Sequence, residues 1–338
     1  MKWLPKQEPI NKNAVGKKKY RSKFLSSPQI LKLLICLAFT GVFLSGDVSK
    51  LSNRIFASNS SQKQTTEIDE IAMSISVKIL GEGFLGSGFI VLQNQGIYTV
   101  ITNQHVLRAG KAPYSLQTPD GKIHSAKIPS NSNSITKKYD LAILEFVAND
   151  VIYPTAKVGN SIYLEVGEPI YAAGFPHSEF KIEKSTSAIS DSAEFNQNNG
   201  FVIQPGRVAI VLNKALEEGY QIGYTNDVKK GMSGGPLLNI QGKVVGINGK
   251  HAYPLWESTE LYLDGTQPCP ALQKLITRSS LAIPIEKTIE LSPNLKSLKP
   301  INTAESTPKP SWSDNKNSKL VAKMQSEAEK TATSCNSF

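Results

Sequence analysis

Short hydrophobic stretches separated by polar turns fill the middle of the chain. From about Ile71 onward, apolar and β-branched residues alternate or run together, with Gly, Asn, Ser or Asp between the runs. The predicted strands are SISVKIL, GSGFIVL, YTVITN, KIHSAKI and LAILEF, followed by EPIYAAGF, GFVIQ, VAIVL, YQIGYT, GPLLNI and KVVGI. Because no helical run of about 10 to 15 residues separates them, the pattern predicts an all-β sandwich or barrel pair and argues against βαβ units.

The two margins of this β-rich region carry different signals, and one helix is expected at each. Residues 280–291 read as a final strand, with Pro284 entering a short closing helix. After Ser292 the composition changes to Ser, Asn, Lys, Thr and Pro, which predicts a low-complexity, mostly disordered tail over residues 292–338 apart from a helix-like patch around KLVAKMQSEAEK. The polar residues 58–67 are predicted to be a linker.

The formal net charge of +10 is concentrated at the front of the chain. Residues 1–57 contain eleven of the 38 Lys and Arg residues but only two of the 28 Asp and Glu residues. The remainder is near neutral, so a phosphate-neutralising surface is not expected and nucleic acid is excluded as a partner class.

The same front segment is typical of an export signal. A basic stretch ending in KKKYRSKF precedes the apolar run 30–46. Its most apolar part, residues 33–44, is only 12 residues long, whereas about 20 are needed to span a bilayer. This favours a cleaved signal peptide. A retained signal anchor, the only expected membrane contact, stays open as the alternative.

Two cysteines, Cys269 and Cys335, lie beyond the leader. In an exported protein they could form one disulfide, although two free thiols fit the sequence equally well. The sequence has no C-x-x-C motif, no His-rich tract and no ligand-like cluster. Neither a metal site nor a cofactor is therefore expected.

A glycine-rich turn around Ser233 fits two unrelated enzyme motifs. GMSGG satisfies the G-x-S-x-G elbow of an α/β hydrolase, whereas GMSGGP suggests a protease of another fold. An α/β hydrolase needs a helix directly after the serine, followed by an acid and a histidine in that order. Here a two-strand pattern follows, and His251 is the only later histidine, which disfavours the α/β-hydrolase interpretation.

A serine hydroxyl needs a base, and a neutral imidazole oriented by a carboxylate is a suitable one. His105 lies at a strand-to-turn junction in YTVITNQHVLRAG, where a side chain can project into a cleft. His124 alternates within KIHSAKI and is expected to face solvent. Asp140 opens the apolar strand in KKYDLAILEF, so its partly buried carboxylate needs a donor such as an imidazole N–H.

Three motifs together resemble the chymotrypsin-like (trypsin-like) serine protease family. They are GSGFIV and TNQHV around His105, YDLAIL around Asp140 and GMSGGP around Ser233, in the family order His, Asp, Ser. The resemblance covers about residues 70–291 and indicates a bacterial exported branch, since the cysteine-bearing motif of the animal enzymes is replaced by TNQHV.

This resemblance implies an all-β fold of two packed six-stranded β-barrels with a short C-terminal helix. The first barrel would cover residues 68–165 and the second, with the closing helix, residues 166–291. His105 and Asp140 would belong to the first barrel and Ser233 to the second, so that the site lies in the cleft between them.

The resemblance also implies the role of each residue. Ser233 would attack the scissile carbonyl, His105 would transfer its proton, and Asp140 would orient the imidazole. The backbone N–H groups of Gly231 and Ser233 would form the oxyanion hole. The expected function is an exported serine endopeptidase, periplasmic or extracellular, that acts on proteins or peptides.

Specificity and activation rest on two further positions. Asp227 lies six residues before Ser233, where trypsin-like members carry the carboxylate of the primary specificity pocket, and this predicts cleavage after Arg or Lys. Pairing of Asp227 with Lys229 or Lys230 is the open alternative. Met232 replaces the aspartate that pairs with a newly freed N-terminus in zymogen-activated enzymes, so activation by that ion pair is not expected.

A catalytically inactive pseudoprotease that binds peptides or acts as a scaffold is the alternative function.

Overall fold

The computed structural model describes residues 66–130, 138–177, 200–253, 260–298 and 315–336. The predicted leader, residues 1–57, and nearly all of the predicted linker lie outside the described residues. The fold below is that of the described residues alone.

The first six strands form a closed antiparallel barrel. Its strands are β1 (Ser76–Leu80), β2 (Phe84–Asn94), β3 (Ile97–Thr102), β4 (Tyr114–Gln117), β5 (Ile123–Lys127) and β6 (Ala142–Val147). The order around the barrel is β1-β2-β3-β6-β5-β4. Alternate apolar side chains fill the interior, including Val77, Ile90, Val100, Leu144 and Phe146, as expected for strands with one face on a core.

A second six-stranded barrel, also closed and antiparallel, follows in the sequence. It consists of β7 (Pro169–Gly174), β8 (Val202–Val211), β9 (Ile222–Tyr224), β10 (Pro236–Asn239), β11 (Val244–Lys250) and β12 (Ser280–Pro284). The order is β10-β11-β12-β9-β8-β7. The all-β prediction of two six-stranded barrels is confirmed.

The two barrels share a buried apolar layer. Phe89, Ile101 and Ile143 of the first barrel and Ala173 and Ile247 of the second belong to one continuous cluster of buried residues. Residues that face this layer are therefore fixed relative to both barrels, which matters for any site built from side chains of both.

Helices lie mainly at the margins of the barrels. They are α1 (residues 66–75), α2 (Gln104–Arg108), α3 (Pro270–Thr277), α4 (Ile285–Leu291) and α5 (Asn315–Asn336). The predicted closing helix is α4, and Pro284 directly precedes it. None of the helices in the described ranges is both long enough and apolar enough to cross a membrane.

The C-terminal region differs from the expectation of a mostly disordered tail, because α5 occupies residues 315–336. The helix is fastened to the second barrel region by the Cys269–Cys335 disulfide. An ion pair joins Arg278 to Glu327 as well. These tertiary contacts stabilise a helix that contains the predicted helix-like patch around KLVAKMQSEAEK and extends beyond it at both ends.

Two strands differ from the sequence pattern. Strand β4 was not predicted, and β8 unites the two predicted strands GFVIQ and VAIVL through Pro205. Pro205 faces Tyr171 of β7, whereas pairing of β8 with β9 begins only at Val208. A proline is tolerated there because that part of the strand has a partner on one side only.

Candidate active site

His105 stands at the rim of the first barrel on a one-turn helix. Strand β3 ends at Thr102 and α2 begins at Gln104, so His105 is the second residue of the helix. Val106 and Leu107 are buried and hold the helix against the barrel. The imidazole keeps 38% of its side-chain surface exposed, which leaves one edge of the ring accessible.

Asp140 lies just before β6 and is only 1% exposed. Its Oδ1 accepts the backbone N–H of His105 at 2.8 Å, and its Oδ2 contacts His105 Nδ1 at 2.5 Å. Asn103 Nδ2 donates to the backbone carbonyl of Asp140 at 2.8 Å. Since an ionised carboxylate only accepts hydrogen bonds, Nδ1 carries the proton and Nε2 of the neutral ring can act as a base.

Ser233 lies in the loop between β9 and β10 and docks on the first barrel. Its carbonyl oxygen accepts the N–H of Ser87 at 2.9 Å. A Cβ built on Gly86 would lie 2.8 Å from Val106 and 3.3 Å from Ser233 O. The serine backbone and the helix that carries His105 therefore contact the same residue of β2.

The Ser233 hydroxyl donates to the carbonyl oxygen of Gly249 at 3.1 Å. Within the described ranges, no hydrogen bond joins this hydroxyl to His105. The structure thus brings His105 and Asp140 into direct contact and puts Ser233 beside them. After Ser233 the chain enters strand β10 (Pro236–Asn239), not a helix, which rules out the α/β-hydrolase elbow.

Gly231 has a backbone that other residues adopt only with strain. Its φ is +96°, and a Cβ there would lie 2.6 Å from Phe175 O and 2.7 Å from His177 N. The preceding carbonyl, of Lys230, accepts the N–H of His177 at 2.7 Å. In the described part of the chain, the N–H groups of Gly231 and Ser233 donate to no other group. Two backbone donors are thus available beside the serine.

Ser87 supports this loop and was missed in the sequence. Its hydroxyl donates to Gly231 O at 2.7 Å and accepts the N–H of Phe175 at 2.9 Å. Ser87 is fully buried in β2. A hydroxyl residue in the apolar strand GSGFIVL was the available signal, because a buried hydroxyl needs partners.

Tyr220 is a second residue that was missed. It is fully buried, and its hydroxyl donates to Asp140 Oδ2 at 2.5 Å. Burial, and then the negative charge of Asp140, holds the pKa of the Tyr220 phenol well above its usual value. The alternation of Tyr220, Ile222 and Tyr224 in YQIGYT was the signal, because it puts two tyrosines on a buried face where each hydroxyl needs a partner.

Asp227 does not lie on the floor of an enclosed pocket. Its side chain is 75% exposed, and its carboxylate lies 3.6 Å from Lys229 Nζ. This contact is the alternative that the sequence left open. Met232, in contrast, is fully buried among apolar residues of the second barrel, where a thioether packs well and an aspartate would need a partner.

The remaining histidines and acids are placed elsewhere. His177 stacks on Phe84 with ring centroids 5.9 Å apart, and His251 is exposed after β11. His124 is half-buried, although it was expected to face solvent. Over the described ranges, no three His, Cys, Asp or Glu side chains are grouped so that they could hold a metal ion.

The barrel pair and its strand order define a chymotrypsin-like fold. Residues 86–247 match the family model of the trypsin-like peptidase domain. This match includes His105, Asp140 and Ser233, so this part of the chain is similar in both sequence and fold to the trypsin-like peptidases.

Bacterial proteases are among the proteins that resemble the chain. Serine protease Do-like HtrA of Bacillus subtilis (strain 168) is 32% identical over 164 residues, which are 48% of this chain and 32% of that protein. The probable periplasmic serine endoprotease DegP-like of Pseudomonas fulva (strain 12-X) is 34% identical over 166 residues, or 48% of this chain and 28% of that protein. The chain therefore matches about a third or less of these two relatives.

A solved structure, the HtrA-type protease AlgW with decapeptide, is 21% identical and has a TM-score of 0.43. The comparison covers 64% of this chain and 52% of that one.

Proposed function

We propose that the chain is a serine endopeptidase that hydrolyses peptide bonds of proteins or peptides through His105, Asp140 and Ser233. One observation carries the proposal. An accessible imidazole is held by a buried carboxylate, at 2.5 Å, beside a serine whose loop offers two backbone N–H donors. This is the donor and acceptor set that acyl transfer requires.

In the first step the Ser233 hydroxyl loses its proton to Nε2 of His105 as its oxygen attacks the substrate carbonyl. The hydroxyl must turn away from Gly249 O for this, and catalytic hydrogen bonds often form only when substrate is bound. The imidazolium that results is stabilised by Asp140, which is too buried for water to screen its charge.

The tetrahedral intermediate bears a negative oxygen, which we assign to the N–H groups of Gly231 and Ser233. Donors that are already oriented stabilise this charge without further rearrangement. As the intermediate collapses, His105 gives the proton to the leaving amine and an acyl-enzyme forms. Water, activated by the same imidazole, then releases the acid product and regenerates Ser233.

Fluorophosphonate labelling tests this function directly. The probe forms a bond to an activated serine oxygen, so the wild-type chain should be labelled and Ser233→Ala should not. Ser161 is a useful control, because its hydroxyl is held by Glu286 at 2.8 Å, and Ser161→Ala should be labelled like the wild type. Labelling of neither wild type nor control, or equal labelling of Ser233→Ala, would support the pseudoprotease alternative instead.

Export to an oxidising compartment is part of the proposal. The Cys269–Cys335 disulfide supports it, because such bonds persist mainly outside the cytosol. The relative from Pseudomonas fulva is named a probable periplasmic endoprotease, which agrees with export. Mass spectrometry of the chain from fractionated cells should find the disulfide oxidised and the basic leader removed or membrane-bound. A reduced chain in the cytosol would contradict export.

The preference for Arg or Lys is a separate part of the proposal. It is supported by the spacing of Asp227 and Ser233, and it is weakened by the exposed ion pair between Asp227 and Lys229. A panel of matched Arg, Lys, Glu and Leu peptides should show the highest kcat/KM for the basic pair in the wild type. An unchanged preference in Asp227→Ala would remove this residue from the pocket.

A further inference from the structure

We propose that Tyr220 is a positioning residue that holds the Asp140 carboxylate for His105, an inference that rests on the proposed protease function. Its hydroxyl and the His105 imidazole both donate to Oδ2 of Asp140. Tyr220 is fully buried, so it reaches the carboxylate and not the substrate. It belongs to the second barrel region, whereas Asp140 and His105 belong to the first.

The Asp140 carboxylate depends on a small set of donors. It is 1% exposed, and burial of an ionised group is costly unless its lone pairs are used. The backbone N–H of His105 uses Oδ1. Without the Tyr220 hydroxyl, Oδ2 would keep only the imidazole, so the phenol supplies one of three hydrogen bonds to the carboxylate among the described residues.

The Tyr220 hydroxyl keeps its proton near neutral pH and can therefore donate a hydrogen bond to Asp140. Burial and the charge of Asp140 raise the pKa of Tyr220 well above its usual value. The phenol therefore stays protonated, and a protonated phenol facing a carboxylate donates its hydrogen bond. The phenol proton and the imidazole N–H therefore both interact with the negative charge on Oδ2.

The turn before β9 fixes Tyr220 relative to Asp140. The backbone N–H of Asp140 donates to Glu218 O at 2.9 Å, and the N–H of Leu216 donates to Tyr220 O at 2.8 Å. The N–H of Glu217 donates to Leu261 O at 2.8 Å, which connects the turn to the segment between β11 and α3. Asp140 is thus bound by one backbone and one side-chain contact from residues 218–220.

Loss of the hydroxyl should have two effects on the site. More of the Oδ2 charge would act on His105, which raises the pH at which the imidazole loses its proton. The carboxylate would also be free to rotate, which lowers the fraction of molecules with a correctly oriented base. Both effects act on the chemical step, because Tyr220 is fully buried and its hydroxyl reaches the Asp140 carboxylate.

Tyr220→Phe and Tyr224→Phe make a matched pair of variants. Tyr224 is equally buried, and its hydroxyl donates to Asn248 Oδ1 at 2.9 Å. Tyr220→Phe should lower kcat about tenfold, because hydrogen bonds to charged groups are among the stronger ones, with KM within about twofold. The acid limb of kcat/KM should move up by about half a pH unit or more. Tyr224→Phe should keep the wild-type pH profile.

Two results would overturn the proposal. One is a Tyr220→Phe acid limb at the wild-type pH, and the other is an equal shift in both variants, which would indicate a merely structural effect. Titration of the His105 imidazole by NMR in the Ser233→Ala background makes the result independent of turnover. If the chain with Ser233 intact shows no peptidase activity but the titration in the Ser233→Ala background is shifted by Tyr220→Phe, the result would support the role of Tyr220 and contradict only the proposed function.

A last measurement needs no substitution at Tyr220. In Ser233→Ala protein labelled with ¹³C-tyrosine, the Tyr220 Cζ resonance should follow the His105 titration with the same midpoint, because both groups share Oδ2. A Cζ resonance that does not respond would overturn the proposal even if Tyr220→Phe fails to fold.

Discussion

Among the residues that the structure describes, two clusters each combine one His, one Tyr and one Asp. We name them the cleft cluster, which consists of His105, Asp140 and Tyr220, and the turn cluster, which consists of His124, Tyr153 and Asp120. In the cleft cluster the imidazole contacts the carboxylate directly at 2.5 Å, and the carboxylate is buried. The phenol adds a second donor to the same oxygen.

In the turn cluster the tyrosine, not the aspartate, connects the other two side chains. Tyr153 lies in the middle, with its hydroxyl 3.0 Å from His124 Nε2 and donating to Asp120 Oδ2 at 3.0 Å. Asp120 is exposed beside the β4–β5 turn. The His124 ring packs on Phe146 with centroids 4.9 Å apart. Here the imidazole binds a phenol and covers an aromatic core, and Nε2 is already engaged.

The difference bears on the proposed base, because the same three residue types do not determine by themselves which imidazole can take a proton from a serine. A base needs a buried carboxylate on one ring nitrogen and an accessible second nitrogen near a nucleophile. Only the cleft cluster is set beside a serine loop with available backbone donors. We therefore expect substitutions in the cleft cluster to change activity and those in the turn cluster to change stability.

The largest expected effect is the loss of the base or the nucleophile. His105→Ala or Ser233→Ala should lower kcat about a millionfold, because members of such a triad act as a unit. His124→Ala should leave kcat near the wild-type value. Peptide hydrolysis by the purified variants measures both. A His124→Ala loss as large as that of His105→Ala would erase the distinction between the clusters.

Replacement of the carboxylates should have the next largest effect. Asp140→Asn should lower kcat about ten-thousandfold, since the amide cannot stabilise the imidazolium and favours the wrong tautomer. Asp120→Asn should keep full activity under the same assay. Equal kcat values for Asp140→Asn and the wild type would remove Asp140 from the mechanism.

Two glycines with positive φ extend the comparison to the backbone. Gly231 has φ +96° beside the serine, and Gly121 has φ +82° beside the turn cluster. Gly231→Ala should lower kcat about a hundredfold to a thousandfold, because one oxyanion donor is misplaced. Gly121→Ala should cost about 1–2 kcal/mol of unfolding free energy and leave kcat unchanged. Urea unfolding beside the peptidase assay separates the two, and unchanged kcat in Gly231→Ala would contradict its role.

The smallest effect concerns Tyr153, which stabilises the turn cluster. Tyr153→Phe should lower the unfolding free energy by about 1 kcal/mol with kcat unchanged. Burial raises the pKa of Asp120, but hydrogen bonds from Thr118, Tyr153 and the Lys122 N–H outweigh it and hold that pKa below its usual value.

A lowered pKa in the folded state gives stability above the unfolded pKa of about 3.9, and this stability is lost as the pH falls through the folded pKa. The wild type should therefore lose more stability between pH 7 and pH 3 than Tyr153→Phe. Urea midpoints at the two pH values measure this. A larger loss in Tyr153→Phe would contradict the assignment.

Most strands of the fold could be predicted from the local pattern of apolar and polar residues. The pattern predicted twelve strand segments, including the final one within residues 280–291, and the described structure also contains twelve strands, because β4 is added and two predicted segments are joined in β8. Helix α3 was not predicted, because its stability comes from packing and from the disulfide at Cys269. Contacts far apart in the sequence are invisible to a pattern that extends over a few residues.

Contacts between residues far apart in the sequence also limit what could be predicted of the candidate site. The contexts of His105, Asp140 and Ser233 could be predicted, because each stands at a visible change in pattern. Ser87 and Tyr220 could not, since their partners lie 144 and 80 residues away. The sequence gives a buried hydroxyl in each case, but only the fold determines which group that hydroxyl meets.

The link between Cys269 and Cys335 makes the C-terminal region a covalent ring that spans 66 positions. One cut of the backbone inside this ring opens it without releasing either piece. A chain cut there by a protease would migrate as one piece on a non-reducing gel and separate into two pieces only after thiol reduction. Helix α5 would accordingly stay with its barrel through such an event, and migration on a non-reducing gel would not report whether the chain had been cut.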